Sequence, residues 1–363
     1  MQKRSLAALL AAVLLLTAGS AAAQPVPGTG TCGKACCYWE TPMDITDTEA
    51  VWNMLIQPMV VVDGWQKSQV PVYSEPDEDS DPVGVVTCES QGLHVLEQLE
   101  NGWSLVECYS SANSRSRIKV FGDLIRGYIP TDTLITVETR TRYALVVDKL
   151  TQRMYVFENG SLLTTLRIST GEINQRRPQY ETNAGEFHLV SMVGSFVDEG
   201  IVSEYAIRFN DGDLIHSVPY RVLSDGTKYY RDYELLLGTP VSKGCIRVQR
   251  RLSPEGINMQ WLWNHLFDQK QSRLAIWEAC PGRQLSIPAD DTPIYVRPDV
   301  STAYHTSPEC YTVNKRYRPL DEITYGQLEE EAYASLTDCP SCNPPLRRQK
   351  LEEINRQYAL PGE

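Results

Sequence analysis

Beyond Leu16 the chain has no long apolar run, so no later stretch reaches the roughly 20 residues that cross a bilayer. Positive charge is scarce as well: 34 Lys and Arg stand against 46 Asp and Glu, a formal net charge of −12. That balance argues against nucleic-acid binding, which needs clustered basic residues to neutralise phosphates. Cysteine is missing at the one place where a lipoprotein anchor would need it, after Ala21-Ala22-Ala23. What stands at the N-terminus is Lys3-Arg4, an apolar run from Leu6 to Leu16, and small residues up to Ala23 before Gln24. That order reads as a secretory signal peptide over 1–23, the run being short for a membrane anchor. The mature chain is expected to be secreted and soluble, without a transmembrane segment.

Export places the ten cysteines where disulfides persist. If one is a free nucleophile, at least one more is unpaired, metal-bound or intermolecular. The length of 363 residues leaves room for roughly two to three domains. Residues 24–60 carry Cys32, Cys36 and Cys37 beside Gly and Pro, and a short helix is expected within Asp47–Met59. They read as a linker or cap stapled by disulfide, or as a small metal site. Residues 61–137 turn to short strands: Gln69–Tyr73, Val83–Thr87, His94–Leu99 and Ser104–Glu107, the last after an Asn101-Gly102-Trp103 turn, with Gly127-Tyr128-Ile129-Pro130 closing the region. Strands this short and closely spaced imply a small barrel. Cys88 and Cys108, on successive strands, suit a disulfide.

Residues 138–282 form a second β-rich block with one main helix, expected over Ile257–Phe267. Glu158-Asn159-Gly160 marks a hairpin turn between Arg153–Phe157 and Leu162–Ile168. Residues 283–345 are a small Cys/His module with a strand at Thr292–Val296 and a helix expected over Tyr325–Ala334; residues 346–363 are a charged helix or tail. The fold class expected is mainly β.

Ser242-Lys243-Gly244-Cys245-Ile246-Arg247-Val248 carries the most chemical information. A glycine beside a cysteine lets backbone approach a substrate and leaves the sulfur uncovered. A nearby arginine holds a carboxylate or orients a loop. A thiol is a weak nucleophile until a base or positive field generates thiolate. His216, ending the apolar strand Asp213-Leu214-Ile215-His216, is the candidate base, with the Ser217 carbonyl as the group that orients it. Taken singly, a cysteine such as Cys245 in an exported chain is more often half of a disulfide, and a histidine such as His216 at a strand end is more often structural.

The ordered set of motifs changes that reading. Val147-Asp148 through Gly160, Ser169-Thr170-Gly171, Thr182-Asn183-Ala184-Gly185-Glu186-Phe187, Ile215-His216-Ser217 and the Cys245 segment together resemble the L,D-transpeptidase (YkuD-like) catalytic domain. Residues 61–137 resemble a bacterial SH3 domain in their Val-x-Val start, Asn-Gly-Trp turn and late Gly-Tyr-Ile-Pro. Such a domain implies recognition of cell-wall peptide or a passive spacer. The first resemblance implies an exported acyltransferase acting on peptidoglycan, with Cys245, His216, Ser217 and Gly244 in catalysis. Arg247, Ser242, Lys243 and Tyr230 would meet the substrate. It further implies attack of Cys245 on the third residue of a stem tetrapeptide, departure of the terminal D-Ala, and transfer to the side-chain amine of a second stem to give a 3→3 cross-link. Backbone N–H groups near Gly244 and Cys245 would hold the oxyanion. Catalysis would need no cofactor, and a carbapenem would be a covalent inhibitor. Transfer to water instead would make the protein an L,D-carboxypeptidase.

Two features depart from the family pattern. Lys243 stands where the family has a second histidine; it would lower the Cys245 pKa by its charge or replace a structural group. The stretch from His216 to Ser242 is also longer than usual, with an insert at about 218–237 that contains Tyr229 and Tyr230 and reads as a lid or as a plain surface loop. These departures leave a catalytically degenerate wall-binding protein as a competing reading. A thiol-disulfide oxidoreductase, suggested by Cys339-Pro340-Ser341-Cys342, lacks the surrounding βαβ pattern. His305, Cys310, Cys339 and Cys342 suit either one Cys₃His structural zinc site or disulfide pairing with His305 incidental.

Overall fold

A computed structural model describes residues 38–39 and 41–360. The expected signal peptide, Cys32, Cys36 and Cys37 lie outside them. The first helix, α1 (Thr48–Leu55), falls inside the expected span. The Asp47 carboxylate accepts the Ala50 N–H at 2.9 Å and so caps it.

Seven strands follow: β1 (Met59–Val62), β2 (Gln69–Tyr73), β3 (Pro82–Thr87), β4 (His94–Gln98), β5 (Trp103–Ser111), β6 (Phe121–Pro130) and β7 (Leu134–Val137). β2 to β6 form a five-stranded sheet in the order β3-β2-β6-β5-β4, and β1 pairs with β7. Val62, Val72, Val86, Leu93, Val106 and Ile129 fill its core. Cys88 and Cys108 do not form the disulfide that their strand positions suggested; both are buried and free. β2 and β6 stand between β3 and β5 in the sheet, and Cys108 is paired across strands with Ile125 instead.

The larger unit contains β8 (Arg140–Asp148), β9 (Arg153–Glu158), β10 (Ser161–Ser169), β11 (Gly185–His188), β12 (Ser191–Asp198), β13 (Ile201–Asn210) and β14 (Asp213–Ser217). The insert then builds a small hairpin, β15 (Arg221–Val222) with β16 (Lys228–Tyr229), and one helical turn, α2 (Arg231–Glu234). β17 (Ile246–Val248), α3 (Met259–Leu266) and β18 (Ser272–Trp277) complete it. Nine of these strands form one sheet in the order β11-β18-β8-β9-β10-β17-β14-β13-β12. Asn159 and Gly160 adopt positive φ values of 48° and 88°, the twist a two-residue hairpin turn between β9 and β10 requires.

Alternation along these strands supplies two cores. Leu145, Val147, Val156, Ile168, Ile215 and Ile246 meet α3 on one face. Ala144, Val146, Phe157, Ala275 and Trp277 meet α1, Tyr38 and Trp39 on the other. The sheet is thus covered on both sides, as central strands of near-continuous apolar sequence require. α3 is shorter than expected, because Asn258 caps it by accepting the Trp261 N–H at 3.0 Å.

The C-terminal module holds β19 (Pro293–Val296), β20 (Ala303–Tyr304), β21 (Asp321–Thr324) and β22 (Thr337–Asp338), and ends in α4 (Arg348–Gln357). Tyr325–Ala334 is not the expected helix but two 3₁₀ turns, Gly326–Glu329 and Glu331–Tyr333, split by an extended Glu330. The carbonyls of Leu328, Tyr333 and Leu336 are bound by the Arg347 guanidinium, which replaces helical hydrogen bonds. The module is stitched to the large sheet. Arg153 of β9 and Arg167 of β10 both pair with Asp338. The Asn343 Nδ2 donates to the Thr165 carbonyl at 2.9 Å and to Gln249 Oε1 at 2.7 Å.

Candidate active site

β14 and β17 are parallel neighbours, with Ile215 opposite Ile246 and His216 opposite Arg247. Ile215 and Ile246 point into the core. The period of two therefore puts His216 and Arg247 on the opposite face, together with Cys245, one residue before β17. Cys245 and His216 end up one diagonal step apart on adjacent strands, although far apart in the sequence. The His216 Nδ1 lies 2.7 Å from the Ser217 carbonyl. A carbonyl only accepts, so Nδ1 carries the proton and Nε2 is left as an acceptor.

The loop before Cys245 is held tightly. Ser242 Oγ donates to the Cys245 carbonyl and accepts the Gly244 N–H at 3.2 Å. That bond already engages one of the N–H groups expected to hold an oxyanion. Gly244 has φ +120°, and a Cβ there would collide with the Asp213 carboxylate, so only glycine fits. The buried Thr182 hydroxyl donates to the Gly244 carbonyl at 2.7 Å and accepts the Gly171 N–H at 2.8 Å. Three of the motifs noted in the sequence are thereby joined at one side chain.

Burial, and secondarily the Asp213 carboxylate, push the Cys245 thiol up to about 12. Burial and the Arg247 charge push His216 down to about 4, against the pull of the Ser217 carbonyl. At neutral pH the resting pair is therefore an uncharged thiol and an uncharged imidazole. Arg247, whose guanidinium lies 5.7 Å from the centre of the Tyr233 ring, is a cation that favours thiolate at Cys245. Lys243 does not take that part. Its ammonium pairs with Asp198 at 3.6 Å and Glu199 at 3.2 Å, at the tip of the β12–β13 hairpin. Asp213 itself is pushed up to about 7 by burial and by the neighbouring Asp211.

Cys245 and Lys243 open onto a cavity of about 420 Å³, lined also by Tyr180, Asn210 and Asp213. Tyr230 does not line it. It packs on Tyr220 with ring centres 5.0 Å apart, under the Arg250 guanidinium, beside a separate depression that includes Ser217. Sequence reasoning missed Thr182 and Asp213 as site residues, although both lie in segments it singled out.

In the C-terminal module the ligand atoms of His305, Cys310, Cys339 and Cys342 lie within 4.8 Å of one another, and all four side chains are buried. Cys310 and Cys339 sulfurs are 3.9 Å apart and the Cys342 sulfur is 3.5 Å from His305 Nδ1. A disulfide would bring two sulfurs to about 2.05 Å. Tetrahedral zinc with Zn–S near 2.3 Å sets its sulfurs about 3.8 Å apart. The cluster has the composition and the spacing to hold a metal.

Residues 142–268 match the family model of the L,D-transpeptidase catalytic domain, YkuD. No curated protein matches the chain. Among solved structures, a fused Zn-dependent amidase/peptidase/peptidoglycan-binding domain-containing protein from Clostridium acetobutylicum is 19% identical, over 38% of this chain and 53% of that one, with a TM-score of 0.26. The L,D-transpeptidase (residues 123–326) from Xylanimonas cellulosilytica is 18% identical over 38% of this chain and 60% of that one, TM-score 0.26. L,D-transpeptidase 3 from Mycobacterium tuberculosis, in complex with a faropenem-derived adduct, is 14% identical over 58% of this chain and 97% of that one, TM-score 0.30. The chain thus spans only 53% and 60% of the length of the first two. No helix among the described residues is long and apolar enough to cross a membrane.

Proposed function

We propose that this protein is a secreted L,D-transpeptidase that forms 3→3 cross-links in peptidoglycan through a Cys245 thioester. The observation that carries the reading is the shared face of β14 and β17, where Cys245, His216 and Arg247 meet and the Ser217 carbonyl fixes the imidazole tautomer. Because thiol and imidazole are both neutral at rest, His216 Nε2 takes the thiol proton as Sγ attacks the carbonyl of the third stem residue. The tetrahedral intermediate collapses as His216 returns the proton to the D-Ala amine, which leaves. The side-chain amine of a second stem then attacks the thioester, gives its proton to His216, and the thiol is regenerated. With water as acceptor the same thioester yields L,D-carboxypeptidase activity. The five-stranded N-terminal sheet is assigned to an SH3-like domain over 61–137, ahead of a catalytic domain over 138–282. Ser242, Lys243 and Arg247 are assigned to the substrate side of the site.

Incubation of the purified protein with tetrapeptide stems tests this. New 3→3 dimers are expected, with D-Ala released. Trimmed stems alone would favour the carboxypeptidase, and untouched stems would sink the enzymatic reading in favour of a wall-binding protein. Cys245→Ala should abolish the mass shift produced by a carbapenem, and an adduct on that variant would refute the nucleophile.

The C-terminal cluster is assigned to a structural zinc, with His305, Cys310, Cys339 and Cys342 as its four ligands. Two further contacts suit thiolate ligands: the Thr306 N–H points at the Cys342 sulfur at 3.4 Å and the Thr312 hydroxyl lies 3.1 Å from that of Cys310. Metal analysis should find about one zinc per chain in the wild type and a loss in Cys339→Ser. Metal-free wild-type protein with oxidised cysteines would decide for disulfides.

A further inference from the structure

We infer that the Cys245 cavity is built by two units of the chain and that Arg115, from the N-terminal one, binds a carboxylate of the peptide substrate; this rests on the transpeptidase reading above. The end of β5 and the residues after it, 111–115, line the same cavity as Cys245. It is fixed at both ends. Gln69 of β2 donates to the Ser111 carbonyl at 2.7 Å and accepts from Ser116 Oγ at 2.6 Å. On the other side, Asn113 Nδ2 donates to Asp211 Oδ2 at 2.6 Å, and Arg115 Nη2 lies 3.1 Å from the same carboxylate. Asp211 belongs to the turn that leads directly into the strand bearing His216. The N-terminal unit is thus latched to the active-site turn, not tethered at a distance from it.

Arg115 is poised for a ligand. Its side chain is 73% exposed, and an ion pair so exposed contributes little to stability. Only Nη2 is engaged by Asp211, and the remaining guanidinium N–H groups have no partner among the described residues. A guanidinium held by one edge offers the other as a planar fork that matches a carboxylate. A second observation points the same way. Asn210 is 2% exposed, lines the cavity, and its Oδ1 has no hydrogen-bond partner among the described residues. A buried amide oxygen without a donor is costly, and a peptide N–H entering the cavity is a donor of matching chemistry. One wall therefore offers an acceptor for a peptide N–H and a fork for a peptide carboxylate, beside the reactive thiol.

The test is a binding cycle in a Cys245→Ala background, where no acylation intervenes. Calorimetry would measure a stem tetrapeptide and two analogues, one amidated at the terminal carboxylate and one at its internal carboxylates, with and without Arg115→Gln. Substitution should weaken the tetrapeptide about 10-fold, one of the amides should reproduce that loss, and the two changes together should cause no further loss. The amide that does so identifies the carboxylate. Equal affinity of the variant and its parent, a loss that neither amide reproduces, losses that multiply, or no binding of the tetrapeptide would each overturn the proposal. If the parent binds as expected but protein with Cys245 intact releases no D-Ala, the transpeptidase reading fails and the carboxylate site stands.

Discussion

Replacing Thr182 by Val preserves the shape of the side chain and removes only its hydroxyl. The hydroxyl is buried and makes two bonds, to the Gly244 carbonyl at 2.7 Å and from the Gly171 N–H at 2.8 Å. Both backbone groups would be left buried without a partner, at about 1–3 kcal/mol each. The sum is about 2–6 kcal/mol, with no cavity term because the volume is conserved. For a unit of this size that corresponds to a fall in Tm of roughly 5–20 °C. The loop carrying Cys245 should loosen as well, so D-Ala release should drop more than the small loss of folded protein explains. Thr182→Ser keeps the hydroxyl and should stay within about 1 kcal/mol of the wild type. Scanning calorimetry and a tetrapeptide assay on the three proteins suffice. A Val variant that melts with the wild type and turns over normally would refute the idea that this side chain locks the site.

Asp213→Asn removes the carboxylate that raises the Cys245 pKa. Iodoacetamide should then alkylate Cys245 about 10-fold faster above pH 7, where Asp213 is ionised in the wild type; unchanged rates would show that burial alone sets the thiol. Stability should also depend on pH through His188, which burial and the Arg273 charge push down to about 4. Its folded pKa lies below that of the unfolded chain, so the unfolded state binds the extra proton between about pH 6.5 and 4. Stability should fall by about 1.4 kcal/mol for each unit of acidification in that window and level off below it. His188→Gln should flatten the urea midpoint against pH by that amount, and an unchanged slope would mean that other groups carry it.

The hairpin at Asn159-Gly160 was legible because two adjacent residues tolerate positive φ and flank alternating apolar stretches. The segments of Cys245 and His216 could be singled out because they are short, local patterns. What joins them was not. The pairing of Lys243 with Asp198 and Glu199 depends on where the tip of the β12–β13 hairpin lands, which no spacing in the sequence encodes. The same holds for Arg115 and Asp211, contributed by different units. Tyr325–Ala334 misled because its composition suits a helix, while the distant Arg347 binds the carbonyls such a helix would use. Tyr230 misled for the opposite reason: an aromatic residue in an insert near the Cys245 motif found its partners in Tyr220 and Arg250.

The parallel pairing of β14 with β17 has a consequence for how this chain tolerates change. Two parallel strands cannot be joined by a tight turn, so the chain between them must travel away from the sheet and come back. The ladder of backbone hydrogen bonds, not that excursion, fixes the distance between imidazole and sulfur. The part of the excursion before the tightly held 242–245 loop is free to lengthen, acquire a hairpin and a helical turn, or be nicked, provided the two strands still anneal in register. Sulfur and imidazole sit like two teeth on one comb, and the handle between them can be reshaped without respacing the teeth.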